Sequence, residues 1–170
     1  MSKDFNARDR VIPRAKMPEG ITLCKTNITQ FLKDARLLVD NSTLSHAYIS
    51  VQYALEELGK ILIFREKLAI DKSEPLTITQ KEAFKSHYGK TEKTLKFLGK
   101  GYDKVFDETL FEEGMTEKGV SMEYTYVNHE TRLDCAFVDF YALSWQNDRA
   151  IKKDLLIKLV NRIEEKLPEA

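Results

Sequence analysis

Between Leu44 and Ile61 the apolar residues Leu44, Ala47, Val51, Ala54, Leu58 and Ile61 recur at steps of three and four, and the pattern runs on toward Ile70. Steps of that size line up along one stripe of an α-helix, whereas a strand changes face at every residue. A long helix with such a stripe has to bury it against other elements, which commits the chain to a helical packing solution. Asp40-Asn41-Ser42-Thr43, just ahead, supplies turn and N-cap chemistry.

The partners of that helix are legible on both sides. Ile21, Cys24, Ile28, Phe31, Ala35 and Leu38 repeat the three-four step and predict a first helix. After a break at Asp71 to Thr77, which holds Pro75, the string Thr79-Gln80-Lys81-Glu82 has the spacing of a capping box and predicts the start of a third helix. Its stripe is read as Phe84, His87, Thr91, Leu95 and Leu98, with Gly99 and Gly101 ending or bending it. Residues 107–128, with Gly114 and Gly119 and no sustained period, read as a long loop. Between Arg132 and Trp145 the aromatics suit a short strand or a packed helical turn equally. A last helix is expected from an N-cap at Asp148 through Ile151, Leu155, Leu159 and Ile163 to Leu167, where Pro168 stops it. The fold class is therefore all-α, an up-and-down helical bundle with a long loop before the last helices. Residues 21–168 form a single domain, and residues 1–20, with Pro13, Pro18 and Gly20, form a leader lying on the surface or frayed.

Bulk properties narrow the function classes. At 170 residues the chain is the size of one domain, and 32% charged residues with only 7 Gly and 4 Pro suit helices. Lys plus Arg and Asp plus Glu both total 27, so no net field recruits nucleic acid or an anionic membrane. No stretch approaches the ~20 apolar residues that cross a bilayer, and the N-terminus lacks the apolar run of a signal peptide, so a cytoplasmic location without membrane contact is expected. Cys24 and Cys135 sit among apolar residues, fit neither a CxxC pair nor a disulfide framework, and read as free core thiols. Gly99-Lys100-Gly101 lacks the spacing of a phosphate loop, and the bundle type of carboxylate metal site needs Glu-x-x-His motifs that this chain does not have. No cofactor and no metal are expected.

One segment is not explained by packing. Ala54-Leu55-Glu56-Glu57-Leu58-Gly59-Lys60 places two carboxylates, a glycine and a lysine inside the best-patterned helix. Glu57 is expected at the edge of the core, where Lys60 at i+3 can pair with it, while Glu56 and Lys60 stand in the favourable acid-before-base i, i+4 order. A solvated helical face would carry the same residues. Gly59 costs about 1 kcal/mol relative to alanine inside a helix and signals a close approach by another backbone or a ligand. His87, on the inner stripe of the third helix, is followed at i+3 by Lys90. Facing Glu57, its imidazole would be oriented and raised in pKa as a general acid or base requires, but an inward histidine is also an ordinary structural group. Lys85, Lys93, Lys96 and Lys100, interleaved with Tyr88, Phe97 and Tyr102, form either a candidate RNA-binding face or a solubilising one.

These residues resemble a known family. Asn27-Ile28, Phe31-Leu32 and Asp34-Ala35, the Glu56-Glu57-Leu58-Gly59-Lys60 string, His87 with Lys90, and later Phe137-Val138-Asp139 and Trp145 are similar to the AbiV family of abortive-infection proteins, over roughly residues 21–165. The resemblance implies a HEPN-like fold and a role in phage defence, with growth arrest of the infected cell. It also implies metal-independent RNA cleavage, for which Glu56, Glu57, Lys60, His87 and Lys90 would supply base, acid and phosphate-stabilising cation. The chain departs from HEPN ribonucleases in having no arginine followed four to six residues later by histidine. The alternative is a non-catalytic interaction protein that binds a phage or host protein. By the same analogy a homodimer is expected.

Overall fold

The computed structural model describes residues 11–70, 77–79, 87–109, 139–141, 144–146 and 151–170. In chain order these form β1 (Val11–Pro13), a 3-10 turn (Arg14–Lys16), α1 (Met17–Asp40), α2 (Leu44–Ala69), β2 (Thr77–Thr79), α3 (His87–Leu98), α4 (Tyr102–Thr109), β3 (Asp139–Tyr141), β4 (Ser144–Gln146), α5 (Lys153–Lys166) and a closing 3-10 turn (Leu167–Glu169). The architecture is the expected all-α bundle, with two short antiparallel ribbons added to it. In one, Ile12 stands opposite Ile78; in the other, Phe140 stands opposite Trp145. For those last segments the strand alternative is the one realised.

α2 is the central helix. Ala47, Tyr48, Val51, Ala54, Leu55, Leu58, Ile61 and Phe64 are all buried, and so are Ser45, Gln52, Glu56 and Gly59 between them. A helix covered on so many sides has neighbours on each side, and burying each large apolar side chain stabilises by about 1.5–3 kcal/mol. α1 packs along it with Met17, Cys24, Ile28, Leu32, Ala35 and Val39 innermost. This stripe is rotated slightly from the expected one, for Phe31 and Leu38 are only partly buried. α1 also begins one turn before Ile21. Pro18 occupies a first-turn position, where a missing N–H breaks no helical bond, and Met17 is fully buried.

The turn between α1 and α2 works as a C-cap more than an N-cap. The Asn41 side-chain amide donates to Leu37 O at 2.7 Å and Thr43 N donates to Leu38 O at 2.8 Å, while Ser42 takes φ 60°. Orphan carbonyls of α1 are thereby satisfied. Thr43, the N-cap of α2, makes no side-chain cap bond.

α5 completes the core with Leu156, Leu159, Val160 and Ile163. It starts at Lys153; the N-cap expected at Asp148 lies outside the described residues. Arg36 on α1 donates to Glu164 and Asn161 of α5, and Arg162 donates through Nε to Leu98 O at 2.7 Å while lying 5.3 Å from the centre of the Tyr102 ring. α3 does end at Gly99, which with Gly101 takes positive φ (110° and 90°), and α4 follows directly. Of the capping box expected to open α3, Thr79 ends β2, and residues 80–86, where the helix would begin, lie outside the described residues. So does the expected long loop from residue 110 onward, whereas 107–109 belong to α4.

Candidate functional site

The charged string of α2 divides between two neighbours. Successive residues on a helix point about 100° apart, so Glu56 and Glu57 cannot share a direction. Glu56 turns to α3, where its Oε2 lies 3.5 Å from Lys90 Nζ. Glu57 turns toward α1 and pairs with Lys60 one turn on. The depths differ as well. Lys90 is 1% exposed, whereas the Glu56, Glu57 and Lys60 side chains keep 12%, 13% and 15% of their surface in contact with solvent.

Gly59 is what lets Lys90 reach that position. A Cβ built on Gly59 would stand 2.5 Å from Lys90 O and 2.7 Å from Lys90 Cα, which no real side chain tolerates. α2 and α3 therefore cross with backbone against backbone at this residue, the close approach that a mid-helix glycine signals. One turn further, Thr94 Oγ1 donates to Leu55 O at 2.8 Å. The innermost residues of α3 are thus Lys90, Thr94 and Leu98. Of the expected stripe, Leu98 lies on this line, Thr91 and Leu95 are only partly buried, and the Phe84 and His87 side chains lie outside the described residues.

Electrostatics follow from this depth. Burial holds the Lys90 ammonium below its ordinary pKa, and the Glu56 charge opposes that fall. Glu57 also stands beside Cys24 of α1. Burial first, and then Glu57, push its thiol up to about 12. A thiol so raised stays protonated, as the reading of Cys24 as an inert core residue requires.

Of the expected site residues, Glu56 and Lys90 meet each other, and Glu57 and Lys60 meet each other. His87 opens α3, but its side chain lies outside the described residues, as does Lys85. Two of the lysines proposed for RNA are matched by carboxylates: Lys93 pairs with Glu66, and Lys96 pairs with Glu92 at 2.5 Å. Lys100 is exposed in the turn after α3. Sequence reasoning missed Cys24 and Thr94 as members of the cluster. Thr94 had a signal, since it stands at i+4 from Lys90 and so shares its face. Buried Gln52, whose amide donates to Tyr48 Oη one turn before Glu56, was also missed. Among the described residues no group of three His, Cys, Asp or Glu is placed to hold a metal, and no helix is long and apolar enough to cross a membrane.

A HEPN family model described as AbiV matches residues 16–167, most of the chain, and the chain belongs to that family. No curated protein and no solved structure matches it.

Proposed function

We propose that this AbiV-family chain is a cytosolic phage-defence protein that arrests the infected cell by binding a protein partner, with its charged turn serving as the polar centre of the bundle. Family membership supports the defence role. The observation that carries the mechanism is the burial of Lys90: a cation that stabilises a phosphate has to touch it, and an ammonium 1% exposed beneath a helix crossing does not. The missing Arg-x4-6-His spacing points the same way. RNA cleavage is the second reading, favoured by Glu57 and Lys60, which do reach solvent. The two are separated by inducing wild type, Glu57→Ala and His87→Ala in a bacterial host and following growth together with total RNA. Partner binding predicts arrest with intact RNA. RNA fragments that disappear in stably folded variants would replace it with the nuclease reading.

We further propose that two copies pair through the outer face of α1. Leu23 and Leu37 are 59% and 62% exposed, and their fourteen-residue separation in sequence brings both onto that face. In an antiparallel pairing centred on Gln30, Leu23 of one copy meets Leu37 of the other twice, as a two-fold interface requires. Leu37→Glu is expected to give a monomer in size-exclusion chromatography with light scattering; a monomeric wild type removes the pairing altogether.

A further inference from the structure

Four large apolar side chains stand exposed among the described residues, and three of them, Leu23, Leu37 and Tyr53, belong to α1 and α2. Their spacing is regular. On α1 the exposed residues Leu23, Gln30 and Leu37 follow one another at seven-residue steps, and on α2 His46, Tyr53 and Lys60 do the same. Seven residues are close to two helical turns, so each set of three keeps to one side of its helix. The two middle residues stand level with each other, because the ring of Phe31, next to Gln30, lies 5.5 Å from the ring of Tyr53. This side of α1 is turned away from α5. Arg36, which reaches Glu164 of α5, and Leu23 point about 140° apart around the helix.

The surface is matched to its own copy. A two-fold axis passing by Gln30 and Tyr53 brings Leu23 onto Leu37 and His46 onto Lys60, each contact made twice. Like charges stay apart, since the same axis sets Lys33 opposite Asn27 and Asp34 opposite Thr26. Thr22, Thr26 and Thr29, also exposed on α1, donate their hydroxyls to Pro18 O, Thr22 O and Lys25 O, which spends those donors within the helix. Size decides how wide the contact must be. α1 has 24 residues and is roughly 36 Å long, so a strip one helix wide covers roughly 400 Å². A stable interface buries about 800 Å² per partner, which takes a second helix. α2 is the neighbour that supplies it.

We propose that the pairing surface is two helices wide: a second copy lies antiparallel over both α1 and α2, Tyr53 sits beside the two-fold axis, and His46 of each copy reaches the Glu57–Lys60 pair of the other. This rests on the pairing through α1 proposed above and adds to it the helix and the residue that complete the surface of the charged turn. The side chains of Glu57 and Lys60 both keep part of their surface in solvent, where an imidazole can meet them. His46 arrives at a carboxylate and an ammonium together, so no lone cation faces it.

Cross-linking of the full chain tests the geometry. The His46→Cys and Lys60→Cys variants, mixed and oxidised with diamide, are expected to give a 46–60 disulfide between copies, identified by mass spectrometry of the linked peptides. Gln30→Cys alone is expected to link to itself. Tyr53→Glu leaves the charged pair in place and is expected to raise the dimer dissociation constant about thirtyfold or more with unchanged helical circular dichroism, as loss of a central aromatic anchor does. It decides the matter if Lys60→Cys fails to fold. A Gln30→Cys protein that links to itself while no 46–60 link forms and Tyr53→Glu dissociates like wild type means pairing through α1 alone, and overturns the wider surface. A wild type that is monomeric by light scattering overturns the pairing and the wider surface together.

Discussion

Glu56→Ala is expected to destabilise the bundle by about 3–5 kcal/mol near neutral pH, because it strands a buried lysine without its carboxylate. The loss should be visible as a fall in the denaturant midpoint with an unchanged slope. Its pH dependence identifies the cause. Lys90 in the folded chain already sits below its ordinary value of 10.5, chiefly through burial, with Glu56 holding it up. The unfolded chain therefore binds the Lys90 proton more tightly than the folded one. Stability from this group is greatest above 10.5, where both states are neutral, and is lost as pH falls through the lowered folded value. Removing Glu56 lowers the folded value further and deepens that loss. The gap between wild type and Glu56→Ala is accordingly expected to narrow as pH rises from neutrality toward 10.5. A gap of constant size over that range would mean that the stranded ammonium is not its source.

Gly59→Ala is the second large effect, and its sign is opposite to what helix propensity alone gives. Alanine in place of a mid-helix glycine is worth about 1 kcal/mol. Here the added methyl would lie within 2.5–2.7 Å of the Lys90 backbone and Cβ, and α3 must move to admit it. Forcing extra volume into a packed contact costs typically about 1–3 kcal/mol. The shift also lengthens the Glu56–Lys90 pair and the Thr94 bond to Leu55, so the total is expected to exceed the propensity gain by about 2 kcal/mol or more. Thermal denaturation decides it. A Gly59→Ala protein that melts at or above the wild-type temperature would mean that the helices do not cross backbone to backbone at this residue.

How much of this was legible in the sequence differed by helix. α1 and α2 were readable because each stripe is apolar and long, so period alone places the elements and most of the core. α3 misled because, of its expected stripe, Leu98 is buried but Thr91 and Leu95 are only partly so, and the other buried positions lie off that stripe. The buried line begins with Lys90, which any hydropathy rule assigns to solvent, and only the contact with Gly59 and Glu56 makes its burial possible. Glycine within Glu56-Glu57-Leu58-Gly59-Lys60 was correctly read as a close approach, but a single sequence does not say which backbone approaches. The division of labour between Glu56 and Glu57 was out of reach for the same reason: it depends on which helices stand on either side of α2.

The position of α5 in the chain has a consequence for timing. Its core residues Leu156 to Ile163 pack with a bundle begun at Met17, and Arg36 waits for Asn161 and Glu164, more than 120 positions later. The α1–α2 hairpin has its partner close in sequence and can form early on the ribosome, whereas closure by α5 depends on distant contacts that come last. Until translation passes residue 166 the nascent chain holds an unfinished core with one side of α2 open. The bundle's competence then arrives in one step with α5 rather than growing as the chain does.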